Sequence, residues 1–144
     1  MTEVHELTAT EGLKAMEAGN LTAEGWVASC LERIAEREEA VLAWDYLDRD
    51  NALARAREVD KSGNGGLAAG LPFGVKDIID TADMPTGYGT KIHQGHRPGR
   101  DAACVAITRS AGGVLLGKTV STEFGHMFPG KTRNPFNPAH TPGG

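Results

Sequence analysis

Gly70-Leu71-Pro72-Phe73-Gly74-Val75-Lys76-Asp77-Ile78-Ile79-Asp80 is a short apolar, β-prone run with one ammonium group in its middle. Read as a strand between helical segments, it makes the chain α/β. An apolar setting disfavours the charged form of Lys76. A lysine that is neutral part of the time can act as a base. The competing reading is a strand-end lysine whose tip reaches water while its stem packs. Local composition favours that second reading, and only residues further along the chain reverse it.

Outward from that strand, the first third is helical and charged and the remainder is punctuated by glycine. Thr8-Ala9-Thr10-Glu11 is a capping box opening a helix over about 9–18, with Gly19 as its stop. Thr22 caps a second helix, Leu21 can staple onto Trp26, and Trp26, Val27, Cys30, Leu31 and Ile34 form its apolar stripe. Glu32, Arg33, Glu36, Arg37 and Glu38 read as the solvated face. Val41-Leu42-Ala43-Trp44 reads as a short strand, and Asp48 or Asp50 as the cap of a third helix over about 51–60. Residues 61–66 read as a flexible loop. The turn-rich stretch 80–100 is long enough to be a functional loop. Asp101 caps a helix over about 102–111, Val114-Leu115-Leu116 is a buried strand, and Ser121 or Thr122 starts a helical turn. No regular element is expected from Pro129 onward. The strands near 70–79 and 113–117 are expected in one sheet, with the helix between them as a crossover and the pairing parallel.

The bulk properties exclude several classes. Hydrophobic residues make up 40% of the 144 and charged residues 24%, as in ordinary globular domains. A net charge of −4 advertises no nucleic-acid surface. No apolar run approaches membrane-spanning length, and the acidic N-terminus lacks the layout of a secretion signal. Cys30 and Cys104 read as small buried thiols of a cytoplasmic protein.

Three patterns invite chemistry and are set aside. Gly112-Gly113-Val114-Leu115-Leu116-Gly117-Lys118-Thr119 satisfies the phosphate-loop spacing, but that loop must follow a strand and open a helix. Here a helix precedes it and the strand lies inside it, which leaves Lys118 and Thr119 at a strand exit. His93 and His96 could pair on a metal, yet no cysteine partner is close and the His-Glu-x-x-His spacing is absent. Asp77, Asp80 and Asp83 could form a carboxylate site, but Asp77 points away from Lys76 on a strand and the other two suit turns. His126 has no neighbouring Ser or Asp that makes a triad legible.

Asn134-Pro135-Phe136-Asn137-Pro138-Ala139-His140-Thr141-Pro142-Gly143-Gly144 closely resembles the entry to the glycine-serine-rich region of the amidase signature family. Leu71–Asp77 resembles that family's strand with its catalytic lysine. Asp101–Val105 resembles its helix after the variable loop. Ala111–Thr119 with Glu123-Phe124 resembles its next strand and turn. The resemblance implies a mixed α/β sheet preceded by N-terminal helices: a helical segment over 1–66, and over 67–144 the first part of a catalytic domain. It also implies a Ser–cis-Ser–Lys amide hydrolase without metal or cofactor, with Lys76 as the base. Gly125, His126 and Met127 would line the acyl end of the pocket. In such an enzyme the neutral lysine takes a proton from the bridging cis-serine, which activates the nucleophilic serine. Backbone N–H groups hold the oxyanion. The substrate would be a small-molecule amide, with no nucleic-acid or membrane partner, and a homodimer of the full-length protein is left open.

The family places both serines after its Pro-Gly-Gly block, and the chain ends at Gly144. The expectation is therefore the N-terminal part of a longer amidase, inactive by itself. An A-type amidotransferase subunit, releasing ammonia from glutamine, is the alternative, although Thr119–Phe124 lacks the Asn-Met-Asp usual there. An inactive remnant is the other. Lys118 is expected to be dispensable for chemistry.

Overall fold

The structure is a computed structural model and describes residues 3–63 and 66–143. Its helices are α1 (Ala9–Glu17), α2 (Ala23–Val41), α3 (Arg49–Ser62) and α4 (Ala103–Ser110). Its strands are β1 (Trp44–Leu47), β2 (Pro72–Lys76) and β3 (Val114–Thr119). One sheet runs in the order β1-β3-β2. β1 pairs antiparallel with β3, Trp44 opposite Thr119 and Leu47 opposite Gly117. Along β2 and β3 the hydrogen bonds advance in the same sense. Val114 N–H donates to the Leu71 carbonyl, and Asp77 N–H donates to the Thr119 carbonyl. That pairing is parallel, with α4 between the two strands in sequence, as expected for a crossover.

The chain forms two compact units. The first comprises the described parts of Met1–Ala35, Asp48–Phe73 and Ile107–Leu116. The Thr8 hydroxyl accepts from Glu11 N–H and the Glu11 carboxylate accepts from Thr8 N–H, so the capping box starts α1. Gly19 takes φ +73° just beyond its end. The start of α2 is capped twice. Thr22 Oγ1 accepts from Gly25 N–H at 3.0 Å. From 37 residues away, the Asp60 carboxylate accepts from Ala23 and Glu24 N–H at 2.7 and 3.0 Å. A carboxylate there also meets the positive end of the helix dipole. Ala23, Trp26, Val27 and Leu31 of α2 are buried with Ala52 and Ala56 of α3. Gly12 leaves room for the Trp26 ring, which a Cβ at that position would strike. Asp48 caps α3 through Asn51 N–H, and Gly63 ends it at φ +57°. The expected loop at 61–66 thus begins later, since Lys61 and Ser62 finish α3; Asn64 and Gly65 lie outside the described residues.

The second unit comprises Glu36–Leu47, Gly74–Ala106 and the described part of Gly117–Gly144. The first strand lies three residues later than its sequence suggests. α2 continues to Val41, and Leu42 turns the chain at φ +54°. Glu38 explains the turn: its carboxylate accepts from both Ala43 and Trp44 N–H at 3.1 and 2.9 Å. Glu38 is therefore a structural anchor rather than part of a solvated face. β2 is shorter than the 70–79 run, and Lys76 ends it instead of lying in its middle. The burial of the two parallel strands also differs. β3 is buried through Lys118, whereas Gly74 of β2 is exposed and only Val75 is buried. Cys104 lies exposed on α4, contrary to the buried thiol expected there, while Cys30 is half-buried. Burial pushes the Cys30 thiol up. No helix among the described residues is long and apolar enough to cross a membrane.

Candidate active site

Strand alternation separates the two lysines that the sequence brings into question. Gly74 and Lys76 share one face of β2. A Cβ at Gly74 would lie 2.8 Å from the Trp44 ring and 3.2 Å from Thr119 Cγ2, so glycine at 74 makes room for Trp44 on that face. Lys76 sits half-buried at the strand's end; its carbonyl accepts from Ile79 N–H, while its side chain makes no hydrogen bond or ion pair among the described residues. Its position leaves the amine available to a partner.

Lys118 is the opposite case. It is wholly buried, and its Nζ donates to the Ile79 carbonyl at 2.7 Å and to Thr86 Oγ1 at 2.6 Å. The Pro85 carbonyl lies 3.4 Å away and Asp77 Oδ1 3.6 Å away. Oxygen acceptors on every side suit an ammonium with three donors. Burial pulls the Lys118 ammonium below the usual lysine value, and Asp77 works against that pull. Burial likewise pushes the Asp77 carboxyl above the usual carboxylate range, opposed by Lys118 and by the Gly87 N–H. Each charge thus offsets part of the other's desolvation. Lys118 is a buried structural cation, where the sequence suggested only a strand exit.

Asp77 is the hub of this side. Its Oδ2 accepts from Gly87 N–H at 2.9 Å, its carbonyl accepts from Tyr88 N–H, and its own N–H donates to Thr119. The residue following Lys76 is therefore held by β3 and by the 79–90 segment at once. Asp80, expected as a turn former, accepts from the Tyr88 hydroxyl at 2.7 Å. That bond, aided by burial, pushes the Tyr88 phenol up to about 12. The third carboxylate of that set, Asp83, contributes its carbonyl to Arg97. A cavity of about 470 Å³ opens beside Asp77, lined by Asp45, Gly87, Gly89, Ser121 and Lys131 among others; Lys76 is not among its lining residues.

Beyond β3, Glu123–Gly125 forms the expected helical turn after Thr122, with Phe124 at φ +50°. Gly125, His126 and Met127 are exposed, and a Cβ at Gly125 would touch Ile78 Cδ1 at 3.3 Å. His93 and His96, weighed as a metal pair, instead pack in an aromatic cluster. Their rings lie 5.7 Å apart, with His93 edge-on to Tyr88 and Phe124. Among the described residues no three His, Cys, Asp or Glu side chains converge on a metal position. The phosphate-loop spacing forms no loop, because Val114–Thr119 is strand throughout. A sequence signal for the Lys118–Asp77 pair did exist: period two puts Lys118 on the same face as Leu116 and Val114, in an apolar strand. The distant acceptors at 79 and 86 left no such trace.

The sequence model of the amidase family matches residues 26–144. The A subunit of the glutamyl-tRNA(Gln) amidotransferase of Acidothermus cellulolyticus is 39% identical, over all of this chain and 30% of its own length. The corresponding protein of Chloroflexus aurantiacus is 36% identical, over all of this chain and 32% of its own length. Among solved structures, the native peptide amidase of Stenotrophomonas maltophilia is 33% identical with a TM-score of 0.87, covering 96% of this chain and 32% of that one. The chain spans about a third of the length of these relatives. With a match over residues 26–144 and the amidase fold in its strands, the chain belongs to the amidase family.

Proposed function

We propose that the protein hydrolyses a carboxamide C–N bond and that Lys76 is the base. The observation that carries this is the division of labour between the lysines. Lys118 is consumed by four oxygens, whereas Lys76 ends β2 on the other face with its amine uncommitted. Lys76 would accept a proton from a bridging serine, which in turn accepts one from the nucleophilic serine as that oxygen attacks the amide carbon. On collapse of the tetrahedral intermediate the proton passes to the leaving nitrogen. Water then hydrolyses the acyl-enzyme. No residue of this chain is assigned to either serine. Gly125, His126 and Met127, exposed on the segment that leaves β3, are proposed to line the acyl side. No metal or cofactor enters these steps. The reading extends to a cytoplasmic location, a small-molecule amide as substrate and a homodimer of the full-length protein.

The sequence relatives favour a second reading, release of ammonia from glutamine by an A-type amidotransferase protein. Both are tested by joining residues 1–144 in register to the remaining two thirds of a relative. The graft onto the peptide amidase should release ammonia from peptide amides, and the 144-residue chain alone should not. The graft onto the Acidothermus protein tests glutamine in the same way. Hydrolysis by the chain alone, or folded grafts that are both inactive, would refute the proposal.

A further inference from the structure

We propose that the buried Lys118–Asp77 pair is a positioning device for Lys76. The inference rests on the reading of Lys76 as the base. Asp77 follows Lys76 directly, and its backbone and carboxylate are fixed by Thr119, Tyr88, Gly87 and Lys118. Lys118 in turn ties Ile79 and Thr86 to β3. The peptide unit joining Lys76 to Asp77 therefore has one set of directions open to it. Because side chains alternate, fixing Asp77 toward Lys118 directs Lys76 to the other face, beside Gly74 and Thr119. A base must be held in reach of its proton, and a shift of about 1 Å can cost about a hundredfold in rate. The charges at the pair's edge are Asp45, which adds to the upward push on the Asp77 carboxyl, and Asp80 and Asp83, which favour the ammonium of Lys118.

The test uses the 144-residue chain and needs no catalysis. Lysines are labelled with trace acetic anhydride, and the rate at Lys76 is read by mass spectrometry against that of exposed Lys14. Half-buried Lys76 should label more slowly than Lys14. Lys118→Met and Asp77→Asn should each raise the Lys76/Lys14 ratio by about threefold or more, the scale of coupling between contacting residues. Amide exchange at Gly87 and Tyr88 is followed in parallel. A pair that merely stitches the 79–90 segment would speed that exchange and leave the ratio unchanged, which would overturn the proposal. Should Lys118→Met fail to fold, the Asp77→Asn/Lys118→Met chain, free of an unpaired buried charge, gives the same two outcomes. Inactivity of both folded grafts would sink the amidase reading and leave this measurement untouched.

Discussion

Lys118→Met separates a buried ion pair from ordinary packing. Methionine keeps most of the aliphatic stem but removes Nζ. Asp77, 5% exposed, then faces no cation, and the Ile79 carbonyl and Thr86 lose their donor. Breaking a buried pair from one side costs about 3–5 kcal/mol. With a urea m-value of about 1–3 kcal/mol/M, the unfolding midpoint should fall by about 1–3 M. Asp77→Asn keeps an acceptor for Gly87 N–H but leaves the buried Lys118 ammonium without its counter-charge, so its loss should likewise be about 3–5 kcal/mol. The sharp expectation concerns the double variant. Adding Asp77→Asn to Lys118→Met removes the uncompensated charge, so the second change should restore stability rather than lower it further. The pH dependence carries a sign as well. The folded Asp77 carboxyl lies above its ordinary 3.8. A group so raised contributes its stability in full below the unfolded value and loses it as pH rises through the folded one. That loss should be steeper in Lys118→Met, whose Asp77 lacks its cation, and absent in the double variant. Urea titrations from acid to neutral pH read all of this. Additive losses in the double variant, or a Lys118→Met penalty independent of pH, would show that Asp77 and Lys118 do not act as a buried ion pair.

Spectrophotometric titration of the tyrosines should show Tyr88 ionising near 12 because of its bond to Asp80, with Asp80→Asn returning it toward about 10. Its folded pKa is raised, so stability should fall as pH climbs from about 10 through 12, a slope that Asp80→Asn removes. Asp60→Ala should cost about 0.5–2 kcal/mol by uncapping α2, read as a lower melting temperature; no change would mean that Thr22 caps alone. Met127 and Phe136 are 88% and 97% exposed, and Ile92 and Phe128 are largely exposed too. Apolar surface beyond the few hundred Å² usual for a monomer should make the 144-residue chain bind a hydrophobic dye and associate; a monodisperse, dye-silent chain would contradict that.

What could be read from the sequence was mostly local. Thr8, Thr22 and Asp48 announce their helices because a cap acts within three residues of itself. The run Val114–Leu116 announces β3 by its apolar character, and the ordered family blocks place Lys76 on β2. What escaped depends on distant partners. Asp60 caps a helix 37 residues away, and Lys118 finds its acceptors 32 to 39 residues upstream. Glu38 resembles its charged neighbours on α2 until Leu42 turns left-handed and brings two N–H groups to it. The same limit applies to the site: an uncommitted amine can be suspected from one residue, but the engagement of its rival needed the fold.

Single-turnover hydrolysis by the active graft carrying Lys76→Ala isolates the role of that lysine. The rate should fall by about 10²–10⁴, the contribution of a general base, with substrate binding retained. A graft that keeps its rate without Lys76 would show that another group is the base.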